Sequence, residues 1–320
     1  MADLDLVLWA TIPTLVFLGY YYYRATVAPP VTHLLLLFVV GAVSGFVALG
    51  LQIAFETIAN WIVDWERIQR SLLGIAFRQL VEIGPIEEGC KLVAVVVPTY
   101  YFQRQHRLRA SSIFLFTIAA SVGFTAEENW IYLFHGTASI LDRTIGTPVH
   151  AMFSAPWGYA LGLYFSAYVR LHRYKNLIFQ AWINSVIFHA LVNVLSSAWR
   201  YSPPLQYLSY GLFPLLLWMF WRMEQLFKRV EGKPTINLIS GRTFQHRYWQ
   251  RGLILFALML GGNAIFGLFL LARILSPLRL SQIFYPDILL FTVSRLSLNL
   301  VFGILAWLIY WYLRYSASRR

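Results

Sequence analysis

The chain has 320 residues, of which 58% are hydrophobic and 12% charged, with a formal net charge of +12. Soluble domains carry about 25% charged residues, so this composition and a mean hydropathy of +0.59 exclude an ordinary water-solvated domain and place most of the chain in lipid. The positive charge does not mark a nucleic-acid partner, because Lys and Arg fall in short segments between apolar runs, where they orient membrane proteins.

A membrane-crossing helix needs about 20 mostly apolar residues. Nine such stretches follow one another, at 6–23, 32–58, 72–101, 111–134, 146–170, 177–199, 205–222, 252–275 and 286–313. They predict an all-α polytopic bundle, residues 1–320, forming one membrane domain. The opening MADLDLVLWA lacks the basic region and small-residue cleavage site of a signal peptide and reads as a retained first helix. Tyr20–Tyr23 and the Trp residues near stretch ends read as interfacial anchors. The one cysteine, Cys90, rules out an intrachain disulfide.

The loops alternate in charge. One set holds Arg24, then Arg104, Arg107 and Arg109, then Arg170, Arg173 and Lys175, then the basic loop 223–251, then Arg314, Arg319 and Arg320. The opposite set holds Asp64, Glu66, Arg67 and Arg70, then Asp142 and Arg143, then Arg200, then Arg273 and Arg279. The first set is the more basic. The positive-inside rule therefore predicts an N-terminus outside and a C-terminus in the cytoplasm.

A charge at the bilayer centre costs about 2.5–3.5 kcal/mol on insertion scales, so charges kept there need a reason. The third stretch carries Arg78, Glu82, Glu87, Glu88 and Lys91; the fourth Glu127, Glu128 and Asn129; the fifth His150; the sixth Asn184, His189 and Asn193. The last two carry few such residues: Asn263, Arg295 and Asn299. Residues 72–200 are the expected functional core, and 201–320 are additional helices with no assigned role.

The third stretch reads PIEEGCK at 85–91. Pro85 and Gly89 weaken the helix and allow close backbone approach. Glu87 and Lys91 share a face, with Glu88 about 100° away. One acid is expected to pair with Lys91 while the other points at a polar cavity; the plain alternative is a structural ion pair. A second acid pair, Glu127 and Glu128, sits on the next helix, and their repulsion must be relieved by a proton, a cation or a metal. His150 opens the fifth stretch, and His189 and Asn193 share a face one turn apart. Taken singly, these residues read as packing or interhelical glue. Together they allow two chemistries. Two His with one or two Glu suit a zinc site holding a water. Alternatively a Glu and a His activate water while an Asn stabilises the oxyanion. At about 1.5 Å per residue, the four motifs reach similar depths between the midplane and the outer surface, predicting a water-accessible cavity that opens outward.

EEGCK at 87–91, AEEN at 126–129, a His opening the next stretch and HALVN at 189–193 together resemble the PrsW family of intramembrane proteases, relatives of the CAAX prenyl protease and Abi superfamily. The resemblance covers about residues 75–200. It implies Glu87 and Glu88 as catalytic acids, Glu128 as part of the second motif, His150 and His189 as the imidazoles, and Asn193 as a supporting or oxyanion-binding group. Lys91 and Asn129 support the site. Glu88, Glu128, His150 and His189 would be the ligands if zinc is bound, since the family is described as metal-dependent while relatives are argued to be glutamate proteases. Glu128 stands where the wider superfamily carries a His. The family's substrates are single-span membrane proteins such as anti-sigma factors, cut near the extracytoplasmic face, which implies a bacterial cytoplasmic membrane location. A proton-coupled transporter is the competing class, but transporters show repeated halves, and the polar residues here crowd the third to sixth stretches. A CAAX-like prenyl peptidase would open to the cytoplasm instead.

Overall fold

The computed structural model describes residues 2–167 and 172–318. The loop positions Arg170, Arg319 and Arg320 lie outside them. Among the described residues there are thirteen α-helices and no strand. They are α1 (Ala2–Arg24), α2 (Val31–Asn60), α3 (Trp65–Ile68), α4 (Leu72–Arg78), α5 (Gly84–Gln105), α6 (Ala110–Phe134), α7 (Ile140–Gly146), α8 (Val149–Ser166), α9 (His172–Ala198), α10 (Leu212–Val230), α11 (Phe244–Leu275), α12 (Leu280–Ile283) and α13 (Pro286–Ser318). Every predicted apolar stretch is helical for most of its length. Six helices (α1, α2, α6, α9, α11 and α13) are long and apolar enough to cross a membrane. Of the other three, α5 carries Glu87, Glu88 and Lys91, α8 is diluted by His150, Ser154, Pro156 and its glycines, and α10 ends in the charged sequence RMEQLFKRV.

The chain divides into two compact units. The first runs to Val194 and includes Arg222–Lys233; the second holds Leu195–Trp221 and Pro234–Arg320. In the second unit, α11 packs along α13. The first unit is built around α6, whose side chains from Ser111 to Glu127 are all buried. Helices α1, α2, α5 and α8 pack on it. A glycine on each partner brings α2 and α6 together: Gly41 lies against the Ala120 backbone, and Gly123 against the Phe38 backbone. Small residues permit such approach between lipid-embedded helices, where dispersion contacts supply the attraction.

The third stretch is not one α-helix. A π-helical turn, Gln79–Ile83, separates α4 from α5, just before Pro85. Proline donates no N–H and its ring clashes with the carbonyl four residues back; a wider turn relieves both and re-aims the residues that follow. Gly89 has open space where a side chain would be, so close approach is not its role. Arg78 pairs with Glu56 and Glu82, and Glu82 also accepts from the Trp65 indole at 2.7 Å. These charges of the third stretch form a structural network. Tyr21 is no interfacial anchor: it is fully buried and donates to Glu224 at 2.6 Å, beside the Arg24–Glu224 ion pair at 2.7 Å.

Candidate active site

All site residues lie in the first unit. Helix α5, redirected by the π turn, turns Glu87, Glu88 and Lys91 inward; α8 contributes His150 from its first turn, and α9 contributes His189. Glu88 and Lys91 are both 0% exposed. The Lys91 ammonium lies 2.7 Å from Glu88 Oε1, 2.8 Å from His150 Nδ1, and 3.7 Å from Glu87 Oε2. Its outer side rests over the Phe124 ring, 4.3 Å from the centroid. Glu88 Oε2 accepts from the Trp157 indole at 3.0 Å and the Ser154 hydroxyl at 3.2 Å. A buried carboxylate with this many donors is neutralised and fixed.

His150 is equally committed. An ammonium only donates, so Nδ1 accepts from Lys91 and the ring proton resides on Nε2. Nε2 donates to Glu128 Oε2 at 2.7 Å. Glu128 also accepts from Arg143 Nη2 at 2.9 Å, and Arg143 Nε donates to Asn129 Oδ1 at 2.6 Å. Lys91, His150, Glu128 and Arg143 thus form one continuous chain of charge-assisted hydrogen bonds.

Glu87 and His189 differ. Glu87 Oε1 accepts from Gln52 at 3.2 Å, but Oε2 is buried without a hydrogen-bond partner. His189 Nε2 faces that oxygen at 3.7 Å, and His189 Nδ1 lies 3.5 Å from Glu88 Oε1, also unpartnered. Unsatisfied buried polar atoms are rare and call for an explanation. The His189 ring is held by parallel stacking on Phe153, 4.5 Å between centroids, and the Ser185 hydroxyl fastens α9 to the Phe153 carbonyl. His150 Nδ1 lies 3.9 Å from the same Glu87 oxygen. Two acids with different duties and two imidazoles therefore meet in one buried cluster.

Asn193 stands apart from the carboxylates: its amide donates to Gln79 Oε1 of the π turn at 2.8 Å. Glu127 is buried against Gly45 of α2, its Oε1 unpartnered. Gln52, Arg143, Ser154 and Trp157 belong to the cluster but were not singled out from sequence. Gln52 had a usable signal, an amide within the apolar run GLQIAF. Arg143 had none, because it reads as an ordinary loop charge.

The imidazoles and carboxylates are the right kinds of zinc ligand, yet among the described residues no three His, Cys, Asp or Glu groups could hold a metal ion. The Lys91 ammonium contacts the atoms that would close such a set, Glu88 Oε1 and His150 Nδ1. As placed, these residues do not fit a bound metal.

The family model described as PrsW family intramembrane metalloprotease matches residues 29–219. Protease PrsW of Shouchella clausii (strain KSM-K16) is 25% identical over 228 residues, 69% of this chain and 96% of the relative. No solved structure matches. The family match takes in more than half of the chain and every residue of the buried cluster, so this chain belongs to the PrsW family of intramembrane metalloproteases and is a membrane-embedded peptidase.

Proposed function

We propose that the chain hydrolyses a peptide bond of a single-span membrane protein, such as an anti-sigma factor, with Glu87 as general base and His189 as its partner. The observation that carries this is the facing pair of groups, Glu87 Oε2 and His189 Nε2, 3.7 Å apart. That separation is too long for a hydrogen bond and leaves both atoms able to hold one water. Glu87 takes a proton from the water, whose oxygen attacks the carbonyl carbon. The same carboxyl then returns the proton to the leaving nitrogen as the C–N bond breaks. His189 orients the water, and the buried Lys91 charge favours the developing oxyanion. Glu88 holds Lys91 in place. The Glu128–His150 pair fixes the far side of the ammonium, and Asn193 supports the α9 face that carries His189.

In this reading Glu87, Glu88, Glu128, His150, His189 and Asn193 remain the site, with Lys91 and Asn129 in support. The steps use side chains alone, and zinc is not assigned. The cavity opens to the outer face of a bacterial cytoplasmic membrane, with the C-terminus inside. This follows from the loop charges, and it favours an extracytoplasmic cut over a prenylated cytoplasmic tail.

The test is cleavage of a single-span substrate in proteoliposomes, with the cut bond mapped by mass spectrometry. His189→Asn is expected to lower the rate about a hundredfold or more with the unfolding temperature little changed. An unchanged rate would remove His189 from the reaction.

A further inference from the structure

A second site lies at the other end of the first unit. A cavity of about 520 Å³ is lined by residues at or just past the C-terminal ends of α1, α5, α8 and α10 and by the N-terminus of α6. Arg107, Arg109, Ser111, Thr26, Ser166 and Glu231 are among its lining residues. The segments after α1, α5 and α10 belong to the basic loop set of the sequence, and the lining residues bring them together at one end of the unit.

The cavity offers donors in excess of acceptors. The first N–H groups of a helix lack intrahelical partners, and α6, 25 residues long, has no side-chain cap. Ser111 in its first turn is 6% exposed and lines the cavity, and its hydroxyl has no hydrogen-bond partner among the described residues. A hydroxyl that faces a cavity from a residue otherwise nine-tenths buried, with no protein partner, points to a ligand that would satisfy it. Arg109 is exposed and forms no ion pair or hydrogen bond among the described residues. Arg107 donates to the Ser166 carbonyl at 3.4 Å and brings a second positive charge to the rim. The one acid, Glu231, is already occupied: it accepts from the Thr26 N–H at 2.7 Å and lies 3.5 Å from Lys233 Nζ.

We propose that this cavity binds a phosphate group, held by the α6 N-terminal N–H groups, the Ser111 hydroxyl and the Arg109 guanidinium. A helix N-terminus flanked by arginines suits a phosphate. At the basic face of a membrane protein that phosphate comes from an anionic lipid headgroup, as in basic pockets between helix ends. A soluble phosphate ester presents the same chemistry and is separated from the lipid by experiment. The site is independent of the peptidase cluster.

The test uses the full chain in detergent. Native mass spectrometry measures retention of phosphatidylglycerol against phosphatidylcholine, and calorimetry measures binding of glycerol 3-phosphate. The expected result is preferential retention of phosphatidylglycerol, weakened about tenfold by Arg109→Gln and more modestly by Ser111→Ala. Arg104→Gln serves as control, since Arg104 is exposed and donates to the Tyr100 hydroxyl. Its variant is expected to bind as the wild type does. Binding of glycerol 3-phosphate that Arg109→Gln abolishes, without a lipid preference, supports the site and identifies a soluble ligand. Equal losses in Arg104→Gln and Arg109→Gln, or no binding in either arm, would overturn the proposal. Arg109 is exposed, so its variant is expected to fold; a melting curve for each variant checks this.

Discussion

Glu87 and Glu88 are adjacent, yet they meet different surroundings because successive helical residues are rotated by about 100°. Glu88 is saturated by Lys91, Trp157 and Ser154, whereas Glu87 keeps one unpartnered oxygen toward His189. The pair itself was legible, since two acids beside a lysine inside an apolar stretch demand explanation. Which acid does which was not, because the distinction comes from Ser154 and Trp157, unremarkable residues on α8. The pairing of Glu88 with Lys91 has a thermodynamic consequence. Lys91→Met leaves a buried carboxylate uncompensated and is expected to cost about 3–5 kcal/mol. Glu88→Gln combined with Lys91→Met removes both charges and is expected to cost less than the sum of the two single changes. Denaturant unfolding of the three variants in detergent measures the coupling, and additive costs would deny the buried pair.

At the scale of elements, apolar length located all nine helical stretches, while irregularities escaped it. The π turn before Pro85 follows from the geometry of proline, but the sequence permits a plain kink just as well. The burial of Tyr21 was hidden because Tyr20–Tyr23 has the composition of an interfacial belt; its partner Glu224 lies 203 residues further along the chain. Glu224 sits past the end of the apolar stretch at 222. Burial pushes its carboxyl up, but hydrogen bonds from Arg24 and Tyr21 outweigh this and hold it below the ordinary carboxylate range. A depressed folded-state pKa gives stability that is present above the unfolded value, near 4.3, and is lost as pH falls through the lower folded value. The unfolding temperature is therefore expected to drop as pH is lowered below about 4.3. Glu224→Gln is expected to be less stable at neutral pH and to show a shallower drop in acid. Parallel curves for the two proteins would remove Glu224 from this link.

At the scale of the whole molecule, α6 is the buried axis of the first unit, while α11 and α13 leave most of their apolar side chains exposed. Their exposed Leu, Val, Phe and Trp side chains are what a lipid-facing surface requires. Convergence of the four motifs was legible from helix lengths and alternating direction. The Arg143 clasp on Glu128 was not, because it depends on how α7 folds back after α6. The proposed topology makes the peptidase cluster reachable from outside. In a Cys90→Ser background, single cysteines at Thr137 and Arg107 in intact cells are expected to react with impermeant thiol reagents at Thr137 only; the reverse pattern would invert the topology. The central claim is that Glu87 is the base and Glu88 the anchor of the lysine. Its most direct measurement is the single-turnover cleavage rate in proteoliposomes for the wild type, Glu87→Gln and Glu88→Gln, together with their unfolding temperatures. The account predicts that Glu87→Gln loses about 10²–10⁴-fold in rate with near wild-type stability, whereas Glu88→Gln is visibly destabilised. A Glu87→Gln enzyme that cleaves at the wild-type rate would contradict it.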